Sequence, residues 1–382
     1  TNPMASEVVA VDEKGLRLAS ERLSHGRLVS FPTETVYGLG AHALDPAALH
    51  KVFEAKGRPT TDPLIVHVTQ SSDAWPLVNV SQAERAVYEV LATAFWPGPL
   101  TLVTRAAACV PDLVTAGTGN VGVRSPAHPD ARALLEACGL PVAAPSANRF
   151  GHVSPTSAQH VVADLGHYDI LVLEATSPCH HGVESTVAHV VETETGVEVR
   201  ELRRGAVSYN QLVAAVSGLA SVTATPKLDA HVADTSQAQI APGQLLRHYA
   251  PDVVAYLLED TPQDTPPDQT SFIGDLSTCV VVDFGGASKA LQHDALAYRD
   301  LCASGDPVVA AQSVFATLRW TETVQGAKTV LLPLLQPDVD SAASAMKPDS
   351  ATSGVRLALK DRLYRAAVGQ HACVMGNKIY SL

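Results

Sequence analysis

The chain has 382 residues, 46% of them hydrophobic and 17% charged, with a formal net charge of −12. That length exceeds one typical core and predicts two domains of a soluble globular protein. The acidic balance and the lack of a Lys/Arg cluster disfavour avid binding to RNA or to an anionic membrane, and no apolar run approaches the roughly 20 residues that cross a bilayer. The N-terminus carries no basic region followed by an apolar core, so no signal peptide is expected. The six cysteines fall at 109, 138, 179, 279, 302 and 373 without a CxxC spacing, which reads as a reducing, cytoplasmic setting rather than a disulfide framework.

The first 210 residues alternate helix and strand signals. Helical periodicity over 12–25 stops at Gly26, and RLVSF at 27–31 is a strand ended by Pro32. Asp45-Pro46 predicts an N-cap with proline at the first helical position, and Gly57 closes that helix. LIVHV at 64–68 is a buried strand. Ser81 and Glu84 form a capping box for a helix to about Phe95. TLVTR, VGVR and PVAAP are short strands, the last two separated by a helix over 129–138. A helix from Pro155 to Leu165 leads to ILVLE, STVAHVV and VEVREL, and this late run of strands predicts a mixed sheet. Residues 218–250 lose periodicity and read as a linker, ending in APGQLLRHYAP at 241–251. A second alternation then begins: VVAYLLE, a Pro-rich surface loop at 261–270, CVVVDFG, a helix opened by Asp306-Pro307, KTVLLPL and a final amphipathic helix GVRLALKDRLYRAAVG. That pattern predicts a smaller, Rossmann-like doubly wound α/β domain with a parallel sheet.

Three stretches carry more chemistry than turns require: FPTETVYGLG at 31–40, KGRP at 56–59 and APSAN at 144–148. They supply Thr33 and Thr35, Lys56 and Arg58, Ser146 and Asn148, donors suited to a triphosphate and a small charged substrate. Lys56 and Arg58 flank a helix stop, where they serve either that helix's C-terminal end or a polyphosphate. Arg124 ends a strand, Arg203 and Arg204 follow another before Gly205, and each reads as a surface charge or an anion ligand. His67 within its apolar strand reads as a core histidine or a site residue. Ser185 and Thr186 follow Gly182 and either cap a turn or meet phosphate or ribose. There is no P-loop, GxGxxG, GxSxG or HExxH, and Cys179, His180 and His181 lack a second ligand pair at metal spacing, so no metal site is assigned.

In order, FPTETVYGLG, KGRP, PLIVHV, WPGPLT, GVRSPAHP, APSAN, SPT and GVESTV resemble the threonylcarbamoyl-AMP synthases, over about residues 12–210. APGQLLRHYAP and the trailing α/β region resemble the long, two-domain form. The resemblance implies a catalytic domain at 1–217 with a twisted mixed sheet and flanking helices, a linker at 218–251 folding over the active site, and a C-terminal α/β domain at 252–382. It implies a nucleotidyltransferase that joins L-threonine, bicarbonate and ATP, with Mg2+, into L-threonylcarbamoyladenylate and pyrophosphate. The product serves the threonylcarbamoyl modification of tRNA adenosine through a downstream transferase. Residue by residue, Thr33, His67, Arg124, Ala144 and Ser185 match threonine positions, with Arg124 pairing the substrate carboxylate. Lys56, Arg58, Thr115, Ser146, Ser154, Arg203, Arg247 and Tyr249 match ATP positions, with Lys56, Arg58, Ser146 and Asn148 at the reacting centre. Two departures stand out: either Arg149 or Ser154 meets the nucleotide in RFGHVSPT, and Lys360 replaces the Asn that often precedes Asp361-Arg362. The alternatives are an RNA-binding module and another carbamoyl-transfer module on the same domain, the latter lacking here the paired CxxC zinc motifs of its hydrogenase-maturation relatives.

Overall fold

The computed structural model describes residues 5–223, 237–243, 245–260, 270–335 and 351–382. Part of the expected linker (224–236 and 244) and all but the last residue of the Pro-rich 261–270 stretch lie outside the described residues. The described residues form two compact units, one drawn from 1–150 and 154–245 and the other from 151–153 and 246–382.

In the first unit the chain runs β1 (Glu7–Ala10), α1 (Glu13–Ser24), β2 (Leu28–Phe31), β3 (Gly38–His42), α2 (Pro46–Lys56), β4 (Ile65–His67), α3 (Gln82–Phe95), β5 (Leu100–Arg105) and α4 (Asp112–Thr115). It continues with β6 (Asn120–Arg124), α5 (Pro129–Cys138), β7 (Val142–Ala143), α6 (Ala158–Leu165), β8 (Ile170–Glu174), β9 (Thr186–Thr193), β10 (Gly196–Arg203), α7 (Tyr209–Ala215) and β11 (Ser221–Thr223). Local chemistry sets the helix ends. The Asp45 carboxylate accepts the Ala47 N–H at the start of α2, and Gly57 ends that helix at φ 61°, a left-handed conformation that costs glycine little. Ser81 and Glu84 satisfy each other's backbone N–H groups at the start of α3. Helix α6 begins at Ala158 rather than Pro155, because the Ser157 side chain accepts the His160 N–H and fixes the cap there.

Among the described residues these strands make one mixed sheet of eleven, in the order β1-β8-β2-β3-β7-β4-β6-β5-β9-β10-β11. Strands β4 and β6 are parallel, and their register sets His67 opposite Arg124 at the strand ends. Strands β5 and β9 are parallel as well, with Leu100 opposite Thr186. Strand β3 carries two glycines because the sheet is tight there. A Cβ at position 40 would lie 2.9 Å from both the Phe31 ring and Val142. Leu49, Val52, Leu64, Tyr88, Leu91 and Leu100 belong to the main core. Packing of the α2 and α3 faces against the sheet thus fixes where the strand ends and their loops sit.

The second unit comprises β12 (Val254–Leu258), β13 (Ser271–Asp275), β14 (Cys279–Asp283), β15 (Ala297–Asp300), α8 (Pro307–Thr323), β16 (Thr329–Pro333), α9 (Ala351–Ala366), β17 (His371–Met375) and β18 (Lys378–Ser381). Its sheet order is β13-β18-β17-β12-β16-β14-β15. The block β17-β12-β16-β14-β15 is parallel, as the near-continuous apolar runs VVAYLL, CVVVD and TVLLP lead one to expect. Beyond it, β18 and β13 add an antiparallel edge that the sequence reading omits. The turn of the β17–β18 hairpin is Gly376-Asn377, with Gly376 at φ 61°.

Candidate active site

The segment from Thr33 to Tyr37 links β2 to β3, and its backbone is a junction for distant loops. Tyr37 N–H donates to Pro155 O at 2.9 Å, Ala147 N–H donates to Tyr37 O at 2.9 Å, and His181 N–H donates to Glu34 O at 2.8 Å. The FPTETVYGLG, APSAN, SPT and GVEST stretches therefore meet around one loop. Its polar side chains are buried. Thr33 Oγ1 donates to Val36 O at 2.7 Å and lies 2.8 Å from Thr35 Oγ1. Arg124 reaches this loop from the end of β6: Nη1 donates to Thr35 Oγ1 at 3.1 Å, Nε donates to Gly98 O at 3.2 Å, and Nη2 lies 2.6 Å from Glu34 Oε1. Burial alone would raise the Glu34 carboxyl, but the Arg124 guanidinium and hydrogen bonds from the chain outweigh it and hold the group below its ordinary range. His67 sits beside Arg124 with Nδ1 buried and without a hydrogen-bond partner. Burial, and then the Arg124 charge, push its imidazole down to about 3, so it stays neutral.

A second cluster forms where α2 ends. Lys56 is 3% exposed, and its Nζ donates to Ser146 O at 2.6 Å and to Asn148 O at 2.5 Å. The lysine thus clamps the APSAN segment, while Phe150 N–H donates back to Lys56 O. Burial, with the Arg58 charge second, pushes the ammonium well below its ordinary value. Arg58 donates from Nε to Asp62 O and from Nη2 to Pro63 O, and Nη2 lies 3.0 Å from the Asp62 carboxylate. Ala144 N–H donates to Ile65 O at 2.9 Å, and Gly38 bridges Ser146, so the motif continues β7 between β3 and β4.

The third cluster lies at the entry to β9. Ser185 Oγ is 2.8 Å from Thr101 Oγ1 and accepts from Arg203 Nη2 at 3.0 Å. Arg203 also donates to Ser185 O and to Pro242 O, and Gln239 N–H donates to Thr61 O. Residues 239–242 therefore run from the KGRP side to Arg203. Ser154 Oγ donates to Glu184 Oε1 at 2.7 Å.

Residues 21–205 match a family described as telomere recombination, and residues 207–368 match one described as threonylcarbamoyl-AMP synthase, C-terminal domain. The threonylcarbamoyl-AMP synthase of Pyrococcus abyssi (strain GE5 / Orsay) is 39% identical over 250 residues, which span 65% of this chain and 69% of that protein. A solved structure of P. abyssi Sua5 complexed with L-threonine matches at 31% identity and TM-score 0.75, covering 97% of this chain and 99% of that one. The chain belongs to the threonylcarbamoyl-AMP synthase family. The Bacillus subtilis (strain 168) threonylcarbamoyl-AMP synthase is 37% identical over 262 residues, spanning 68% of this chain and 70% of that protein. Matches to both parts of the chain identify the two-domain form of the family.

Of the site residues that the family pattern singles out, Thr33, Lys56, Arg58, His67, Arg124, Ala144, Ser146, Asn148, Ser154, Ser185 and Arg203 lie in or beside these three clusters. Thr115 ends α4 next to Val114, whose carbonyl accepts the Leu64 N–H, and its hydroxyl is turned back to Asp112 O at 3.2 Å. Arg247 and Tyr249 belong to the second unit, where Tyr249 is buried between Phe315 and the Arg362 guanidinium. Sequence reasoning missed Glu34, Asp62 and Glu184, the buried carboxylates that face the cations and hydroxyls. Only Asp62 left a signal, its i,i+4 spacing from Arg58. One group of three possible metal ligands occurs among the described residues: His152, Asp252 and Glu322 in the second unit. There Glu322 Oε1 accepts the Asp252 N–H and lies 2.7 Å from His152 Nε2, a hydrogen-bonded arrangement that needs no ion.

Proposed function

We propose that this chain joins L-threonine, bicarbonate and ATP into L-threonylcarbamoyladenylate, releasing pyrophosphate and water, as a nucleotidyltransferase. The observation that carries the reading is Arg124. It is buried at a strand end, opposite the neutral His67 and pinned by Glu34 and Thr35 beside a hydroxyl-lined loop. These contacts leave N–H groups on its two terminal nitrogens for the threonine carboxylate. Thr33, His67, Ala144 and Ser185 shape the rest of the amino-acid site. His67 serves as a neutral hydrogen-bonding group, since burial keeps it from taking a proton.

The threonine amine adds to carbon dioxide or bicarbonate to give a carbamate. A carbamate oxygen then attacks the α-phosphorus, and pyrophosphate leaves as that P–O bond breaks. Neutralising and positioning groups lower the barrier. Lys56 and Arg58 face the phosphates, whose negative charge favours the charged form of the buried Lys56 ammonium. Ser146 and Asn148 order the reacting centre. Thr115, Ser154 and Arg203 complete the nucleotide site, and the part of the linker at 239–242 closes over it as a lid. The run of 239–242 from Thr61 to Arg203 supports that lid.

Mg2+ keeps much of its water shell and asks the protein for only one or two oxygen donors beside the phosphates. Glu184 and Ser154, hydrogen bonded and buried, fit that demand. The ion would neutralise the triphosphate there. The adenylate is then consumed by a tRNA-modifying transferase in the cytoplasm. No helix among the described residues is long and apolar enough to cross a membrane.

The test is pyrophosphate release from ATP and Mg2+ with L-threonine plus bicarbonate, L-serine plus bicarbonate, or no amino acid. Release that requires threonine and bicarbonate is expected. Release independent of both overturns the reading.

A further inference from the structure

The second unit holds a cavity of about 310 Å³ that the proposed reaction does not use. Its position follows from the chain path. From β14 the chain turns outward to β15, the edge strand, whereas from β16 it passes through α9 to β17 on the far side of β12. Neighbouring parallel strands β14 and β16 thus send their connections in opposite directions. The crevice beyond the carboxyl ends of two such strands is where open α/β sheets bind ligands. The cavity lies there, lined by Leu258, Glu259 and Asp260 after β12, Phe284 and Ser288 after β14, and Leu335 after β16.

The lining selects a ligand class. The loop after β14, Phe284 to Ser288, looks like a phosphate cradle in sequence, yet four of its five N–H groups are taken. Those of Phe284 and Ser288 donate to the Asp283 carboxylate, and those of Gly285 and Gly286 donate to the Asp300 carboxylate. Two buried or half-buried carboxylates beneath the loop repel a phosphate rather than hold one. The apolar wall instead suits a flat ring, with the Arg356 guanidinium, which lies over the Phe284 ring at 5.8 Å from its centroid, as the stacking surface. Past the end of β12 the carboxylates of Glu259 and Asp260 offer acceptors to hydroxyl groups, the role an acidic residue plays toward ribose in dinucleotide sites. Glu259 also lies against His371, at 2.5 Å, which fixes its orientation. A planar base joined to a hydroxylated sugar matches this set of groups, and the cavity lies at the small end of the range for ligand pockets.

We infer that the second unit binds a phosphate-free purine nucleoside in the crevice between the ends of β12, β16 and β14.

The probe is 8-azidoadenosine, photolysed on the full chain, with the attachment sites mapped by peptide mass spectrometry. Attachment within 254–260, 279–291 or 329–335 is expected. Adenosine should suppress it at a concentration at least tenfold lower than AMP does. Ala287→Trp, an exposed rim position where the indole fills the cavity, should abolish that attachment and leave threonine-dependent pyrophosphate release unchanged. Arg356→Ala should weaken it at least fivefold, and it serves as the second variant if Ala287→Trp fails to fold. Attachment confined to first-unit peptides overturns the inference, as does attachment that persists in Ala287→Trp. AMP or ATP competing better than adenosine overturns it as well.

Discussion

The Glu34–Arg124 pair offers the sharpest test of how the site is built. Both side chains are 4% exposed and their charged atoms lie 2.6 Å apart. Removing one partner of such a buried pair costs about 3–5 kcal/mol, mostly because the other charge is left uncompensated. Arg124 keeps Gly98 O and Thr35 Oγ1 when Glu34 becomes glutamine, so Glu34→Gln should fall near the lower end, about 3 kcal/mol. Arg124→Met strands the Glu34 carboxylate, and its burial, then opposed only by hydrogen bonds from the chain, raises the pKa. That loss should be similar at neutral pH and shrink as pH falls and the carboxyl takes a proton. The double variant carries no buried charge and should lose little more than either single one, giving a coupling of about 3 kcal/mol. Urea unfolding followed by tryptophan fluorescence reads this out. In a Trp320→Phe background the remaining tryptophans, Trp75 and Trp96, both report on the first unit. If the two single losses add to within about 0.5 kcal/mol of the double, the pair is not a coupled buried unit and the account of Arg124 fails.

The remaining predictions address other parts of the site. Lys56→Ala and Arg58→Ala should each lower threonine-dependent pyrophosphate release by about 100-fold or more, the scale for losing one group that stabilises transition-state charge. Near-normal turnover in both variants would refute the phosphate assignment. His67 is held at about 3 against an ordinary 6.5, so the unfolded chain binds the extra proton in between. Stability conferred by this group is therefore complete above the ordinary value and lost as pH falls toward 3, at up to about 1.4 kcal/mol per pH unit. In His67→Leu the acid limb of the stability profile should flatten by that slope, and a parallel profile would count against burial as the cause. Gly205→Ala would place a Cβ 2.3 Å from Thr186 N and 2.5 Å from Glu184 O. It should destabilise the first unit by more than about 2 kcal/mol and raise the KM for threonine through Ser185, whereas wild-type values of both would show that the close approach is not needed.

How much of this was legible follows from where each signal resides. Helix ends declared themselves because a cap is a local event: Asp45-Pro46, Gly57 and the Ser81–Glu84 box each act within a few residues. Strand β3 did not, since GLGAH has neither β-branched residues nor clean alternation. It is a strand because β2 and β7 pair with it on both sides and leave no room for larger side chains. The β17–β18 hairpin is marked locally only by the Gly376-Asn377 turn between two short apolar runs, a weaker signal than the long helical pattern of α9 before it. In the site the hydroxyls and cations carried a motif, whereas Glu34 stood between two threonines with nothing local to mark it. Its meaning comes from Arg124, ninety positions along, which only the β4–β6 register and the loop after β2 bring into contact.

The same geometry explains how a chain of net charge −12 could hold a triphosphate. The site region of the first unit holds four cations nearly buried, Lys56 at 3% exposed, Arg58 at 7%, Arg124 at 3% and Arg203 at 6%. Each is oriented by main-chain carbonyls or a carboxylate rather than by solvent. Surface charges act on a ligand through salt water, where their influence fades over about 8 Å at physiological ionic strength. Buried donors act at contact distance and are screened far less. The acidic exterior should therefore slow the approach of ATP slightly, with the bound state governed by the local cations. Raising NaCl from 50 to 300 mM at fixed free Mg2+ should change the KM for ATP by less than about threefold. Association steered by surface charge would change it by an order of magnitude or more. A steep salt dependence would mean that exposed groups hold the phosphates, and the assignment of Lys56 and Arg58 would fall with it.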